Sequence, residues 1–185
     1  MKKVIVFLAE GFEEVEAMTP VDVLRRLGAS VTVAGVGSQT VKGAHGVSVI
    51  CDEVAGEYSE PFDCVICPGG MPGAVNLASS WPVMQTLART AAAGNLVCAI
   101  CAAPAVVLGP AGLLEGHQAV CYPGMEAACP DFGFDREHRV VVSGNLITAK
   151  GPGCAEEFAF AIGRALFGPE AAQKAARDYQ AGERK

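Results

Sequence analysis

Short apolar runs alternate along this chain with segments whose apolar residues recur every three or four positions. Val4–Leu8, Val31–Val36, Asp63–Cys67 and Leu96–Ile100 are near-continuous apolar stretches, rich in β-branched side chains at the first two. Such runs predict strands buried on both faces. Between the first two, Val15, Met18, Val21, Leu24 and Leu27 keep helical spacing, and Gly28 ends the pattern. Thr19-Pro20 lies inside it, which predicts one helix kinked at Pro20. Short antiparallel strands are expected around Val41 and Val47–Cys51, and helices over 73–79 and 82–93. A helix from about Ala103 to Val107 should follow Cys101. A strand near Gln118–Cys121 and a looped region over 122–138 come next. Strands at Val140–Val142 and Leu146–Ala149 then lead to helices at Ala155–Phe167 and 170–178, before a polar tail expected to fray.

This order predicts a single α/β domain over residues 1–185. The expected architecture is a doubly wound three-layer sandwich with a mainly parallel sheet, of flavodoxin-like or class I glutamine amidotransferase-like type. Ligands of such sheets sit at the carboxyl ends of the strands. Two of those ends carry marked sequences, Pro68-Gly69-Gly70 and Cys101-Ala102.

Composition narrows the classes. The net charge of −6, with no basic cluster larger than pairs such as Lys2-Lys3 and Arg25-Arg26, argues against a nucleic-acid duplex or an anionic membrane as partner. No apolar stretch approaches the ~20 residues that cross a bilayer. The apolar run after Lys2-Lys3 is too short for a secretion signal and passes into Glu10, Glu13, Glu14 and Glu16. A cytoplasmic location is expected, and there the eight cysteines stay reduced, most of them as small buried apolar residues.

Cys101 stands apart because it ends an apolar strand and precedes Ala102-Ala103-Pro104, the opening of a helix. A strand entering a helix this tightly makes an elbow that projects one side chain into the crevice. The helix N-terminus favours a thiolate. The pairs Cys64/Cys67 and Cys98/Cys101 formally spell a zinc pattern, but residues three apart on a strand point to opposite faces. No metal or organic cofactor is expected. Glu16 falls between apolar Val15 and Ala17, where desolvation would raise its pKa and suit it to acid/base work. The Pro68-Gly69-Gly70 turn could lend N–H groups, with that of Ala102, to an oxyanion hole. His45, His117 and His138 read as loop histidines without partners.

Taken together, these residues resemble the ThiJ/PfpI family, in the branch of the Parkinson-disease protein and its bacterial relatives. The resemblance spans nearly the whole chain. It runs through Ala9-Glu10-Gly11-Phe12-Glu13-Glu14-Val15-Glu16, Pro20-Val21-Asp22-Val23-Leu24, Cys67-Pro68-Gly69-Gly70, Ala99-Ile100-Cys101-Ala102 and Gly151-Pro152-Gly153. It implies Cys101 as nucleophile and oxidation-sensitive thiol, Glu16 as its protonated partner, and the Gly70 and Ala102 amides as the oxyanion site. Gly69, Tyr122, Pro123, Gly151 and Pro152 are implied to line the site. A homodimer through the first helix is implied too, with Glu13, Asp22 and Arg26 as interface candidates.

Two positions depart from other branches. Protease-like members carry His directly after the cysteine, where this chain has Ala102. Several members have His before Pro where this chain has Tyr122-Pro123, and a phenol is a poor base near neutral pH, its reference pKa being about 10. The implied activity is cofactor-free glyoxalase or deglycase chemistry on a small carbonyl compound or a glycated protein or nucleotide. The alternative is a redox-responsive chaperone or oxidative-stress sensor acting through Cys101. An amidase or protease is less favoured.

Overall fold

The computed structural model describes residues 1–181. Its elements in order are β1 (Lys3–Leu8), α1 (Glu14–Arg26), β2 (Ser30–Gly35), β3 (Thr40–Lys42), β4 (Ser48–Ile50), β5 (Glu53–Val54), β6 (Cys64–Cys67), α2 (Gly73–Ala78), α3 (Trp81–Ala92), β7 (Leu96–Ile100), β8 (Val140–Ser143), β9 (Leu146–Ala149), α4 (Ala155–Phe167) and α5 (Pro169–Asp178). Seven strands form one sheet in the order β5-β2-β1-β6-β7-β9-β8, while β3 and β4 make a separate antiparallel ribbon. All pairings in the main sheet are parallel except β8 with β9. The expected doubly wound, flavodoxin-like α/β sandwich is therefore the observed fold.

Strand alternation divides the core between the two faces of the sheet. Val4, Val6 and Leu8 pack with Ala17, Val21 and Leu24 of α1 and with Phe158 and Ile162 of α4. Ile5 and Phe7 pack on the opposite side with Leu77 of α2 and Val83 and Leu87 of α3. Because β1 lies inside the sheet and is covered twice, its residues from Val4 to Leu8 are fully buried. That is why it reads as an unbroken apolar run. Helix α1 continues through Pro20 without interruption. Where it meets α4, a Cβ on Gly163 would lie 2.5 Å from Leu27 Cδ1, so α4 presents a bare backbone to that side chain.

Two expected elements differ. Residues 118–121 form no strand. Their backbone bonds go elsewhere: the Val120 N–H donates to Thr148 Oγ1, and the Ala119 carbonyl accepts from Asp135 N. The apolar pattern there reflects burial without strand pairing, as Ala119 and Val120 are fully buried although the segment joins no sheet. The helix expected after Cys101 is instead a five-residue π-helical turn, Pro104–Leu108. The two-residue strand β5 carries no pattern of its own and was not foreseen. Of the polar tail, residues 182–185 lie outside the described part of the chain.

Candidate active site

Cys101 follows directly on β7, and its backbone is locked on both sides. Its N–H donates to the Ala149 carbonyl at the end of β9, and its own carbonyl accepts from Tyr122 N, each at 2.8 Å. Between these anchors the residue adopts φ +66°, the left-handed region that a residue with a Cβ seldom enters. Strain of this kind costs of order 1–3 kcal/mol and persists only where surrounding bonds over-determine it. Its geometric effect is specific. Along β7, Val97 and Ala99 face the α2/α3 side and Cys98 and Ile100 the α1/α4 side. Simple alternation would send residue 101 to the α2/α3 side, yet it packs on the α1/α4 cluster. The left-handed turn thus swings the thiol toward α1, where Glu16 lies.

Glu16 is fully buried in the first turn of α1. One carboxyl oxygen, Oε2, accepts the Gly69 N–H at 2.8 Å. The other, Oε1, is buried with no hydrogen-bond partner among the described residues. The carboxyl group and the Cys101 thiol interact side chain to side chain. Burial raises the pKa of Glu16 to about 7, against the opposing pull of the Gly69 N–H and of Cys101. The expected desolvation is present, but its source differs in part. Ala17 is buried as anticipated, whereas Val15 is 48% exposed.

For Cys101 the electrostatics correct the sequence reading. Burial, reinforced by the Glu16 carboxylate, pushes the thiol up to about 12 against the opposing pull of the Gly70 and Ala102 amides, both directed at the sulfur. A π-turn of five residues supplies little dipole, so it cannot offset desolvation. The two acids form a coupled pair. Once Glu16 takes up a proton, its repulsion of the thiolate vanishes and it becomes a donor facing the sulfur.

The glycine turn fits around this pair. A Cβ on Gly70 would lie 2.4 Å from Gly11 O and 2.5 Å from Glu13 N, and its φ of +87° is itself a glycine conformation. Tyr122 and Gly151 meet: a Cβ at 151 would approach the Tyr122 ring to 3.0 Å. Pro152 opens a short 3-10 turn after Gly151 and is exposed. Pro123 lines a cavity of about 450 Å³, shared with Glu126 and Lys150.

The interface candidates part company. Asp22 and Arg26 pair with each other at 2.9 Å and stay half exposed, and Arg26 also lies over the Tyr179 ring. Glu13 also belongs to the site's frame. Its N–H donates to the Gly69 carbonyl at 3.0 Å, and its carboxylate lies 3.6 Å from His45. Sequence reading left His45 without a partner, but Glu14 accepts from both its backbone N–H (2.8 Å) and that of Val47 (3.4 Å) and pairs with its ring at 3.0 Å. Glu13, Glu14 and His45 bring their ligand atoms within 4.8 Å of one another. Glu14 Oε1 is already taken by the two amides, so the group is a clamp on the β3–β4 turn. His117 binds the Ser143 carbonyl and His138 binds Asp135, so no histidine is partnered to Cys101. The zinc reading of the cysteine pairs fails as anticipated, since Cys64 and Cys67 face opposite sides of the sheet. Unforeseen was the contact between Cys64 and Cys98, whose sulfurs lie 3.6 Å apart. The Ala149 carbonyl and the Thr148 hydroxyl also escaped notice, because a backbone acceptor and a strand threonine leave no mark in sequence. Among the described residues, no helix is long and apolar enough to cross a membrane.

Comparison with known proteins agrees with this geometry. The model of the DJ-1/PfpI family matches residues 2–165. Protein DJ-1 homolog B of Arabidopsis thaliana is 38% identical over 173 residues, covering 92% of this chain and 40% of that protein. The chain thus spans about two fifths of that relative's length. A glutathione-independent glyoxalase of Caenorhabditis elegans is 36% identical, over 87% of this chain and 86% of its own length. The solved structure of oxidised Toxoplasma gondii DJ-1 superposes with a TM-score of 0.92 at 38% identity, over 99% of this chain and 100% of that one. By sequence and by fold, the chain belongs to the DJ-1/PfpI family.

Proposed function

We propose that this protein is a cysteine-dependent, cofactor-free enzyme that acts on reactive dicarbonyl compounds or their adducts, of glyoxalase or deglycase type. The observation that carries the reading is the turn at Cys101, which sets a half-buried thiol against a buried, protonatable Glu16 and within reach of the Gly70 and Ala102 amides. The C. elegans relative named as a glyoxalase points the same way.

The chemistry follows from the groups present. The Cys101 sulfur adds to the aldehyde carbon of methylglyoxal, and the new oxyanion is held by the Gly70 and Ala102 amides. A proton from Glu16 completes a hemithioacetal. Glu16, now a carboxylate, removes the proton from that carbon and returns it to the neighbouring one through an enediol. The first carbon is thereby oxidised and the second reduced, which leaves a thioester on Cys101 and needs no external oxidant. Water cleaves the thioester, releasing lactate and the thiol. Tyr122, Gly151 and Pro152 border the substrate space in this proposal, and Gly69 forms its floor. The eight cysteines are all free, which suits a reducing cytoplasmic compartment. A homodimer would use the face of α1 and the β3–β4 ribbon, where Val15, Val47 and Ile50 are exposed.

A second reading, as a redox sensor or redox-responsive chaperone, draws on the same thiol and on the oxidised form of the T. gondii relative. Lactate formation from methylglyoxal by wild type, Cys101→Ser and Glu16→Gln separates the two. The enzymatic reading expects turnover by wild type and its loss in both variants. Undiminished turnover by Cys101→Ser overturns it. Inactivity of every form, with selective peroxide oxidation of Cys101, favours the sensor.

A further inference from the structure

We infer that Gly69 is the positioning residue that makes Glu16 and Cys101 a one-proton pair, by holding one carboxyl oxygen with its N–H and leaving room for the other to face the thiol. The inference rests on the proposed function only in taking Cys101 as the reactive group.

The peptide groups of Gly69 grip the start of α1 at two points. Its N–H donates to Glu16 Oε2 at 2.8 Å, and its carbonyl accepts from Glu13 N at 3.0 Å. The consequence for the proton is chemical. An oxygen accepting an N–H bond is the carbonyl-like oxygen of a neutral carboxyl group, so the proton of Glu16 resides on the other one. That oxygen, Oε1, is buried and has no hydrogen-bond partner among the described residues. An unsatisfied buried carboxyl oxygen is costly, and a proton shared with the Cys101 sulfur relieves it. The Gly69 amide thus selects which oxygen titrates, and the selected oxygen is the one that serves the thiol.

Space gives the second, independent line. A Cβ built on Gly69 would lie 2.6 Å from Cys101 Cβ, 2.8 Å from Glu16 Oε2 and 3.0 Å from Ala102 N. All three are parts of the site, and the Cys101 backbone is fixed by its bonds to Ala149 and from Tyr122. The φ of Gly69 lies outside the left-handed region, unlike that of Gly70. Conformation therefore does not demand glycine at 69. Close approach does, because any side chain there would wedge the acid from the thiol.

Two measurements test this without any substrate. In wild type, the ¹⁵N–¹H resonance of Gly69 should titrate with a midpoint near 7, that of Glu16, and lose that titration in Glu16→Gln. The rate of Cys101 alkylation by iodoacetamide, followed by mass spectrometry across pH, should show an inflection at the same midpoint. Gly69→Ala, checked for folding by circular dichroism, should lose this inflection and match the Glu16→Gln profile. Its alkylation near pH 7 should be about 10- to 100-fold slower, the usual penalty for displacing a reacting group by about an ångström. Shortening the acid in Gly69→Ala/Glu16→Asp should restore part of the inflection. A Gly69 amide insensitive to pH in wild type overturns the inference, as does a folded Gly69→Ala with the wild-type profile. If Gly69→Ala does not fold, the wild-type amide titration decides alone. Absence of dicarbonyl turnover would leave both readouts intact, so the two proposals fail separately.

Discussion

The ring of Tyr122 packs on the backbone of Gly151, and the amide of the same tyrosine is bonded to the carbonyl of Cys101. The aromatic ring is thus placed by the peptide group of Cys101 and by the lack of a side chain opposite. Its ring is 46% exposed, so the hydroxyl has water to serve it. General acid–base residues contribute about 10²–10⁴-fold, and Tyr122→Phe should change dicarbonyl turnover by less than about threefold. Gly151→Ala should cost more, because the ring must move to admit a Cβ at 3.0 Å. Steady-state kinetics of the two variants check this, and a large loss in Tyr122→Phe would assign the phenol an acid/base role.

Glu16 makes stability depend on pH with a definite sign. The native state keeps its proton up to about 7, whereas an unfolded glutamate releases it near its ordinary value of 4.5. Between those values the native protein binds more protons, so this group's contribution to stability falls as pH rises and is fully lost above about 7. Glu16→Gln removes that dependence and should be more stable than wild type at pH 8, by up to about 3 kcal/mol. Urea unfolding at pH 4.5 and pH 8 measures the difference. Parallel curves for the two proteins would contradict the raised pKa.

Cys64 and Cys98 touch at 3.6 Å but should not cross-link. They are not opposite each other: Cys64 pairs with Leu96, and Ile66 pairs with Cys98. A two-residue offset on neighbouring strands separates their Cα atoms by about 8 Å, beyond the roughly 7 Å that a disulfide spans. Treatment with diamide followed by non-reducing peptide mapping should find no bridge between these positions. Both thiols are also fully buried, so Cys101 should be modified first.

Glu14 ties the β3–β4 turn to the first turn of α1, through bonds to the amides of His45 and Val47 and to the His45 ring. Its pKa is lowered by those bonds, although burial, the largest single influence, opposes them. Replacing it with Ala should speed hydrogen exchange of the His45 and Val47 amides roughly tenfold, each lost bond being worth about 1 kcal/mol. Exchange at β7 should be unaffected. Uniform acceleration across the chain would mean a global loss of stability in place of a local release.

The main fold was legible because its signals are local. A strand buried on both faces must be apolar throughout, and β1, β6 and β7 announce themselves that way. Helices α1 and α4 show their buried stripe at every third or fourth residue and stop at Gly28 and Gly168 or just before. Residues 118–121 misled because burial without strand pairing looks the same in sequence as burial in a sheet. The partners of His45 and Cys64 were hidden for another reason, lying 31 and 34 residues away.

For Cys101, the sequence by itself determined that a thiol would stand at the end of a central strand, before a helical turn, in a chain resembling one family. It also determined that Glu16 would lie in the first turn of the helix after β1. Only the tertiary structure decided that the two meet. Bonds to the Ala149 carbonyl and from the Tyr122 amide hold Cys101 at φ +66° and turn it to the face of the sheet that alternation would deny it. It likewise decided the charge at the site. Local dipoles favour a thiolate, but burial of both acids outweighs them and raises the pKa of each. Desolvation depends on everything packed around a group, and a linear sequence does not contain that environment until the chain has closed on itself.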